Sequence, residues 1–357
     1  MIIALVLLAL GEVSLALELG NRLLGIGIRT PAKAFAKMCL IVSACVLLAL
    51  PALLLIVAPE SNLIRFLFYL SAIVGILLFI HYLFPYRFGI STITPKHPTE
   101  REETLISNVA LRDESVTVHL PASNPDGLRF LVVSDLHCNS QRKLNLIEDA
   151  FAKLNNEIFD AVLVLGDLSE NRQIMPELIA AIAKLPNRYG IFCVRGNHDF
   201  ENDRHKLIEE LAKRHSIKIL SNTVSKVPEL GIELAGLEYP PDCARIPPKS
   251  EGTLRLGLTH TPDNILMLSE LGVDIAVAGH THGGWFRLPV LRPLLVPSGL
   301  GRFLNKGWYK RRNTLMYITS GLPYFAKRNG RKGEILRLTI KPGKEKEGIA
   351  GIEDSVQ

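Results

Sequence analysis

The chain has 357 residues, a formal net charge of +6 and 48% apolar residues, and its mean hydropathy of +0.21 is high for a purely soluble enzyme. The length suits one large domain or two smaller parts. Five cysteines (Cys39, Cys45, Cys138, Cys193 and Cys243) share no paired spacing, which argues against a disulfide framework and for a reducing compartment. The basic balance lacks the aromatic-plus-basic pattern of an RNA or DNA module, so no nucleic-acid partner is expected.

Taken in chain order, residues 1–86 hold the apolar excess and predict a membrane region of two to three transmembrane helices. Residues 2–19 are apolar but carry Glu12 and Glu18, and they lack the basic start and cleavage site of a signal peptide. Glu12 reads either as a functional intramembrane carboxylate or, more simply, as a helix-packed residue in a shallow, tilted segment. Residues 38–58 are uncharged, with Pro51 as a tolerated kink. Residues 63–84 form a further span, with Arg65 able to snorkel at one end and Tyr82 and Tyr86 at the other interface. The 20–37 loop carries Arg22, Arg29, Lys33 and Lys37, whereas the 59–62 loop carries Glu60. Positive loops favour the cytoplasmic side, so a multi-pass inner-membrane protein with its large C-terminal domain in the cytoplasm is expected.

Residues 87–127 are rich in Pro, Thr, Ser and charge, and predict a linker with a first strand near Ser115–Leu120. A globular domain follows over 128–340. Within it Arg129–Ser134, Ala161–Leu165, Tyr189–Val194, Leu254–Leu258 and Asp274–Ala278 read as buried strands, and Leu315–Thr319 and Glu334–Ile340 as later ones. Helices are expected near Arg142–Leu154, Met175–Leu185 and Arg204–His215. Short strands fill 217–237, and Thr261-Pro262 opens a further helix. The tail from 341 to 357 is charged and expected to be disordered. Alternating strands and helices predict an α/β domain with mixed sheets, in which sites gather at the C-terminal ends of strands.

The polar motifs fall at those ends. Asp135-Leu136-His137 follows RFLVV and Ser134, Gly166-Asp167 follows AVLVL, and Gly196-Asn197-His198-Asp199 follows IFCVR. Thr259-His260 follows LRLGL, and Gly279-His280-Thr281-His282 follows DIAVA. A glycine before the ligand in three of them allows a sharp turn and close approach. A lone histidine at a strand end is usually structural, but five such ends in order are not explained that way. Oxygen and imidazole donors without thiolate suit manganese, iron or zinc. Two such ions suit phosphoester hydrolysis, with one carboxylate bridging them; Asp167, central in the strand order, is the candidate.

These motifs closely resemble the calcineurin-like metallophosphoesterase superfamily, whose signature runs Asp-x-His, Gly-Asp, Gly-Asn-His-Asp/Glu, His and Gly-His-x-His. The resemblance implies a two-sheet mixed β sandwich flanked by helices, covering roughly residues 128–340. It implies one divalent ion on Asp135, His137, Asp167 and His282 and a second on Asp167, Asn197, His260 and His280. It also implies that His198 contacts the phosphate and protonates the leaving oxygen while Asp199 orients its ring. An adjacent carboxylate suits an imidazole acid; the plainer roles for His198 are a further ligand or a phosphate contact. One departure is that Glu170 stands where the superfamily often has Asp after Gly-Asp.

Residues 283–312 contain no acid and mix Trp285, Phe286, Leu288 and Leu291 with Arg287, Arg292, Arg302 and Lys306. They read either as an ordinary loop with solvated charge or as a loop that docks on the bilayer, with Trp285, Arg287 and Arg302 as candidate substrate contacts. The arrangement looks like the membrane-associated branch of the superfamily, which includes enzymes acting on phospholipid head groups and on UDP-2,3-diacylglucosamine in lipid A synthesis. The expected partners are therefore the membrane and a phosphorylated lipid or nucleotide-lipid. The alternatives are a membrane-anchored phosphodiesterase acting on soluble substrates and a non-catalytic scaffold.

Overall fold

The computed structural model describes residues 2–25, 31–84, 86–95, 102–106, 109–118, 120, 126–238, 246–287, 293–322, 332–343 and 352–354. The chain divides into two units: Met1–Phe88 with Gly284–Phe303, and Gly89–Gly283 with Leu304–Gln357.

The first unit is built on α1 (Ile2–Gly25), α2 (Pro31–Val57) and α3 (Asn62–Leu83). Each contains a stretch of at least 22 residues long and apolar enough to cross a membrane, including the first segment. Residues that would break such helices in water are accommodated here. Ser14 and Ser71 return their hydroxyls to the carbonyls of Leu10 and Leu67. α1 and α3 cross at glycines: a Cβ on Gly11 would stand 2.1 Å from Gly75 Cα, so only glycine permits this approach. The segment after the last histidine motif belongs to this unit. It forms a small hairpin in which Trp285 pairs with Leu295 and Arg287 with Pro293. Leu294 O accepts from both Asn21 Nδ2 (3.2 Å) and Tyr82 OH (2.9 Å), and Val296 N donates to Asn21 Oδ1 (2.7 Å).

The second unit runs β1 (Ile90–Pro95), β2 (Glu102–Ile106), β3 (Val109–Val118), β4 (Leu128–Val133), α4 (Gln141–Ala152), β5 (Ala161–Val164), α5 (Met175–Ala183) and β6 (Ile191–Cys193). It continues with α6 (Arg204–Arg214), β7 (Ile217–Ile219), β8 (Thr223–Val227), β9 (Ile232–Leu237), β10 (Leu254–Thr259), α7 (Ile265–Glu270) and β11 (Ile275–Ala278). The hairpin strands of the first unit, β12 (Trp285–Arg287) and β13 (Pro293–Leu295), intervene before β14 (Gly307–Arg311), β15 (Thr314–Ile318), β16 (Gly333–Pro342) and β17 (Ile352–Asp354). One sheet has the order β2-β3-β16-β4-β5-β6-β7 and the other β17-β1-β14-β15-β11-β10-β9-β8. Strand alternation separates the cores. In β4, Phe130 and Val132 join Leu163, Leu256 and Val277 between the sheets, while Leu131 and Val133 join Leu144, Ile147 and Leu178 under the helices. This is the mixed two-sheet sandwich flanked by helices that the motifs implied.

Three expectations change. The 87–127 linker holds three strands, not one, because β3 pairs along its length with β16 more than 200 residues away. The tail expected to be disordered carries the end of β16 and, at 352–354, a strand paired with β1. The 283–312 loop is not one loop: Gly307–Arg311 is an interior strand with Trp308 and Tyr309 buried. Cys243, Leu288, Leu291 and Arg292 lie outside the described residues.

Candidate metal centre

All five motifs follow the C-terminal ends of strands, β4, β5 and β6 in one sheet and β10 and β11 in the other. The strands set the spacing, and the turns after them aim the side chains. Asp135, His137, Asp167, His280 and His282 all have positive φ, between 41° and 71°. Left-handed backbone at non-glycine residues costs about 1–3 kcal/mol each and persists where the surroundings enforce it. Here Asp135 N donates to Gly166 O (3.0 Å) and His137 N to Asp167 O (2.9 Å), so the first two turns brace each other. Glycines allow the approach: a Cβ on Gly196 would lie 2.1 Å from Asp167 Oδ1, and one on Gly279 2.0 Å from Ser134 Oγ.

The result is three overlapping groups whose ligand atoms lie within 4.8 Å of one another: Asp135, His137 and His282; His137, Asp167 and His198; and Asp167, His260 and His280. Asn197 joins through Oδ1, 3.2 Å from His260 Nε2. All seven ligands expected from sequence are thus brought together. Asp167 Oδ2 faces His260 Nε2 at 3.2 Å and His137 Nε2 at 3.5 Å.

The donor chemistry fits divalent cations. The buried His137 Nε2 makes no hydrogen bond. Its Nδ1 lies 3.1 Å from Glu170 Oε1, and His260 Nδ1 lies 2.7 Å from Leu165 O. Those acceptors take the Nδ1–H and leave each Nε2 lone pair aimed inward. Two ring nitrogens, His280 Nδ1 and His260 Nε2, stand 3.1 Å apart. Electrostatics agree that positive charge belongs here. Burial alone would raise the Asp167 carboxyl, but His260, His137 and His198 outweigh it and hold it well below the usual range. Burial likewise opposes a charged His260, yet Asp167 and Asp135 push it up to about 10. At Asp135 burial wins and the carboxyl is raised.

The histidine expected to act as acid sits at the edge of this cluster. The His198 N–H donates to Asp167 Oδ1 (2.9 Å), and its ring stands edge-on to His137 at 5.0 Å. Its Nδ1 does not meet Asp199. Asp199 instead points inward and accepts three backbone N–H groups, from Asp167 (2.8 Å), Leu168 (2.9 Å) and Gly196 (2.8 Å). Burial, helped by the charge of Asp167, pushes its carboxyl up to about 6. The carboxylate beside His198 Nδ1 is that of Glu201, at 3.4 Å. This corrects the ring-orienting role expected of Asp199. The cause is the backbone: His198 opens a 3-10 turn, which puts the side chain three residues on beside its own, and the positive φ of Asn202 and Asp203 ends that turn before α6. Two arginines hold the turn. Arg172 Nη1 donates to Asn202 O (2.8 Å), and Arg204 Nη2 bonds both His198 O (2.6 Å) and Glu201 Oε2 (3.1 Å). Sequence reasoning missed Glu201 and Arg204, although Glu201 stands one turn beyond His198 and that spacing is a usable signal.

The three residues expected to touch substrate lie in the first unit. Trp285 and Arg287 are in β12, and the side chain of Arg287 is outside the described residues. Arg302 is buried, its Nε donates to Tyr82 O (2.9 Å), and its guanidinium lies 4.4 Å over the Tyr82 ring.

Comparison with known proteins bears on the same region. Residues 128–284 match the calcineurin-like phosphoesterase family. Phosphodiesterase YaeI of Escherichia coli is 31% identical over 208 residues, which cover 53% of this chain and 76% of that protein. An uncharacterised metallophosphoesterase of Campylobacter jejuni is 27% identical over 221 residues, covering 59% of this chain and 58% of the relative. A zebrafish transmembrane protein with a metallophosphoesterase domain is 24% identical over 261 residues, 66% of this chain and 59% of its own. The chain thus spans little more than half the length of two of these three relatives, and the residues that match the family hold every motif of the cluster. With its two-sheet sandwich, its cluster of converging carboxylate and imidazole groups and its likeness to a phosphodiesterase over three quarters of that protein's length, the chain belongs to the calcineurin-like phosphoesterases, hydrolases that use divalent metal ions.

Proposed function

We propose that this hydrolase acts on a lipid-linked phosphodiester or pyrophosphate at the cytoplasmic face of the inner membrane. The observation that carries the dinuclear part is the position of Asp167, which shares two of the three ligand groups and faces histidines from both sheets. In this reading Asp135, His137, Asp167 and His282 hold one ion, and Asp167, Asn197, His260 and His280 the other. Manganese is the first choice, with iron and zinc as alternatives. When bound, two such ions neutralise phosphate oxygens and lower the pKa of an attacking water.

The chain's own residues do the remainder. Glu170 and Leu165 O fix the tautomers of His137 and His260. Asp199 ties the Gly-Asp and Gly-Asn-His turns together through three backbone bonds. His198 gives a proton to the leaving oxygen, and Glu201, 3.4 Å from its Nδ1, orients the ring for that transfer. A scaffold without activity would not need all seven ligands aimed at one place.

The lipid part rests on the three apolar helices and on the acid-free stretch that follows His282. The basic 20–37 loop against Glu60 in the 59–62 loop favours a cytoplasmic enzyme domain. Trp285 and Arg287 are the residues we assign to contact with the substrate. UDP-2,3-diacylglucosamine is the most concrete candidate. The name of the E. coli relative favours a diester over a monoester.

The test is phosphorus-resolved product analysis of the full-length, manganese-loaded protein in detergent. It would be offered UDP-2,3-diacylglucosamine, ordinary phospholipids and a soluble aryl phosphodiester. Release of UMP and the acylated sugar phosphate, abolished by Asp167→Ala, is the expected result. Turnover of the soluble diester alone would overturn the lipid assignment and leave the helices as an anchor.

A further inference from the structure

The first unit contains polar side chains that neither an apolar anchor nor the metal chemistry explains. Asn21 is fully buried in α1, one of the three helices apolar enough to span a bilayer. An amide there is costly unless both of its halves are bonded. Both are: Nδ2 donates to Leu294 O (3.2 Å), and Oδ1 accepts from Val296 N (2.7 Å), as a neighbouring β-strand would. Tyr82, buried in the last turn of α3, gives its hydroxyl to the same Leu294 O (2.9 Å). Arg302 closes the arrangement from the other side. It caps α3 by donating to Tyr82 O and stacks on the Tyr82 ring. Arg22 Nη1 adds a bond to Gly299 O (3.1 Å) while its Nε pairs with Glu18 (2.7 Å).

The held segment, Pro293–Phe303, is not a stretch of helix connection. It belongs by sequence to the catalytic chain, and only Gly283 separates His282 from the start of this unit's insertion. At Gly284 the fit is close: a Cβ would stand 2.4 Å from Pro293 Cβ. The clamped strand β13 is therefore packed against the residue two positions after His282. Asn21 and Tyr82 both lie in the final turn of their apolar stretches, Ile2–Leu23 and Asn62–Leu83. The last turn of a spanning helix, with tyrosine and arginine beside it, is the level of lipid head groups.

We propose that Asn21, Tyr82 and Arg302 are positioning residues for a lipid phosphoester: they fix the chain that follows His282 at head-group depth, where it meets the lipid head group. This rests on the lipid reading above. It assigns Arg302 to holding the segment, not to touching the substrate.

The experiment uses full-length, manganese-loaded protein with phosphatidylcholine vesicles carrying either UDP-2,3-diacylglucosamine or phosphatidylglycerol, beside a soluble aryl phosphodiester. Asn21→Leu and the milder Tyr82→Phe should raise KM for the lipid about tenfold, the effect of losing one or two buried hydrogen bonds. They should leave its kcat, and both constants for the soluble diester, unchanged. Equal losses on lipid and soluble substrate, or no change on either, would overturn the clamp while leaving the lipid reading intact. A wild-type protein that turns over the soluble diester and neither lipid would overturn the lipid reading and the clamp with it. A readout without turnover is tryptophan fluorescence. The chain has two tryptophans, and Trp308 is buried with its Nε1 on Glu114, so brominated lipids should quench Trp285. Quenching in the wild type that weakens in Asn21→Leu is expected; a wild type that is not quenched would refute head-group depth for this segment.

Discussion

Glu201→Gln keeps the size and the hydrogen-bonding reach of the side chain but removes the charge 3.4 Å from His198 Nδ1. At that separation, and with the effective dielectric of a partly buried site, an imidazolium gains roughly 5 kcal/mol of gross attraction. Glu201 Oε2 is shared with Arg204 at 3.1 Å, which already draws on the same charge, and solvent screens the remainder. Losing one charge-assisted hydrogen bond to the proton donor is expected to cost about 1–3 kcal/mol, a factor of about ten to a hundred in a proton-transfer step. That factor should depend on the leaving group. An alkoxide needs the proton and a nitrophenolate hardly does, so Glu201→Gln should slow alkyl diesters strongly and nitrophenyl diesters little. The assay is kcat across a series of diesters of graded leaving-group pKa, with His198→Ala as the limiting slope. Asp199→Ala is the contrast. It strips the acceptor from three buried N–H groups at about 1–3 kcal/mol each, offset in part by relief of repulsion with Asp167, and should lower the melting temperature and metal content without steepening that slope. If Asp199→Ala steepens the slope at unchanged stability while Glu201→Gln leaves it flat, the assignment of the two carboxylates is wrong.

Glu170→Ala should reduce metal affinity about tenfold to a hundredfold, read by metal titration, because His137 loses the acceptor at 3.1 Å that fixes its tautomer. Gly279→Ala should abolish metal binding in an otherwise folded protein, checked by elemental analysis and circular dichroism, since its Cβ would lie 2.0 Å from Ser134 Oγ and 2.3 Å from Asp135 Oδ2. Lys143, buried with its Nζ on His137 O (3.0 Å), is brought down to about 8 by burial. Its folded value lies below the 10.5 of an ordinary lysine, so the unfolded chain binds more protons between the two. Stability should then rise with pH across that window by about 3 kcal/mol, and Lys143→Met should flatten the rise in thermal melts.

The residues proposed as metal ligands are legible in the sequence because each follows an unbroken apolar run, and such runs become strands buried on both faces whose ends converge. RFLVV, AVLVL and DIAVA leave little choice about where Asp135, Asp167 and His280 stand. What does not show is anything decided by backbone torsion or by distant pairing. Asp199 adjoins His198 in sequence, yet its carboxylate turns inward onto three backbone N–H groups, and Glu201, one 3-10 turn on, takes the place beside the ring. β2 is short and largely exposed, and β3 owes its place to β16, so a Thr- and Ser-rich stretch that reads as linker is sheet.

In the membrane region the informative residue is the inconspicuous one. Glu12 and Glu18 stand out, since a charge in an apolar helix is easily noticed, whereas Asn21 does not. Charge near the end of a span can be met by snorkelling or by a neighbour, as Glu18 is by Arg22. An amide cannot be disposed of that way: it neither titrates nor reaches far, and it needs a donor and an acceptor placed on either side of it. Within an apolar helix that requirement is met most directly by another backbone lying alongside. Asn21 therefore calls for a donor and an acceptor close together, and the backbone of the segment that begins with the strand Pro293–Leu295 supplies both, Leu294 O and Val296 N, where composition alone reads as a loop resting on lipid.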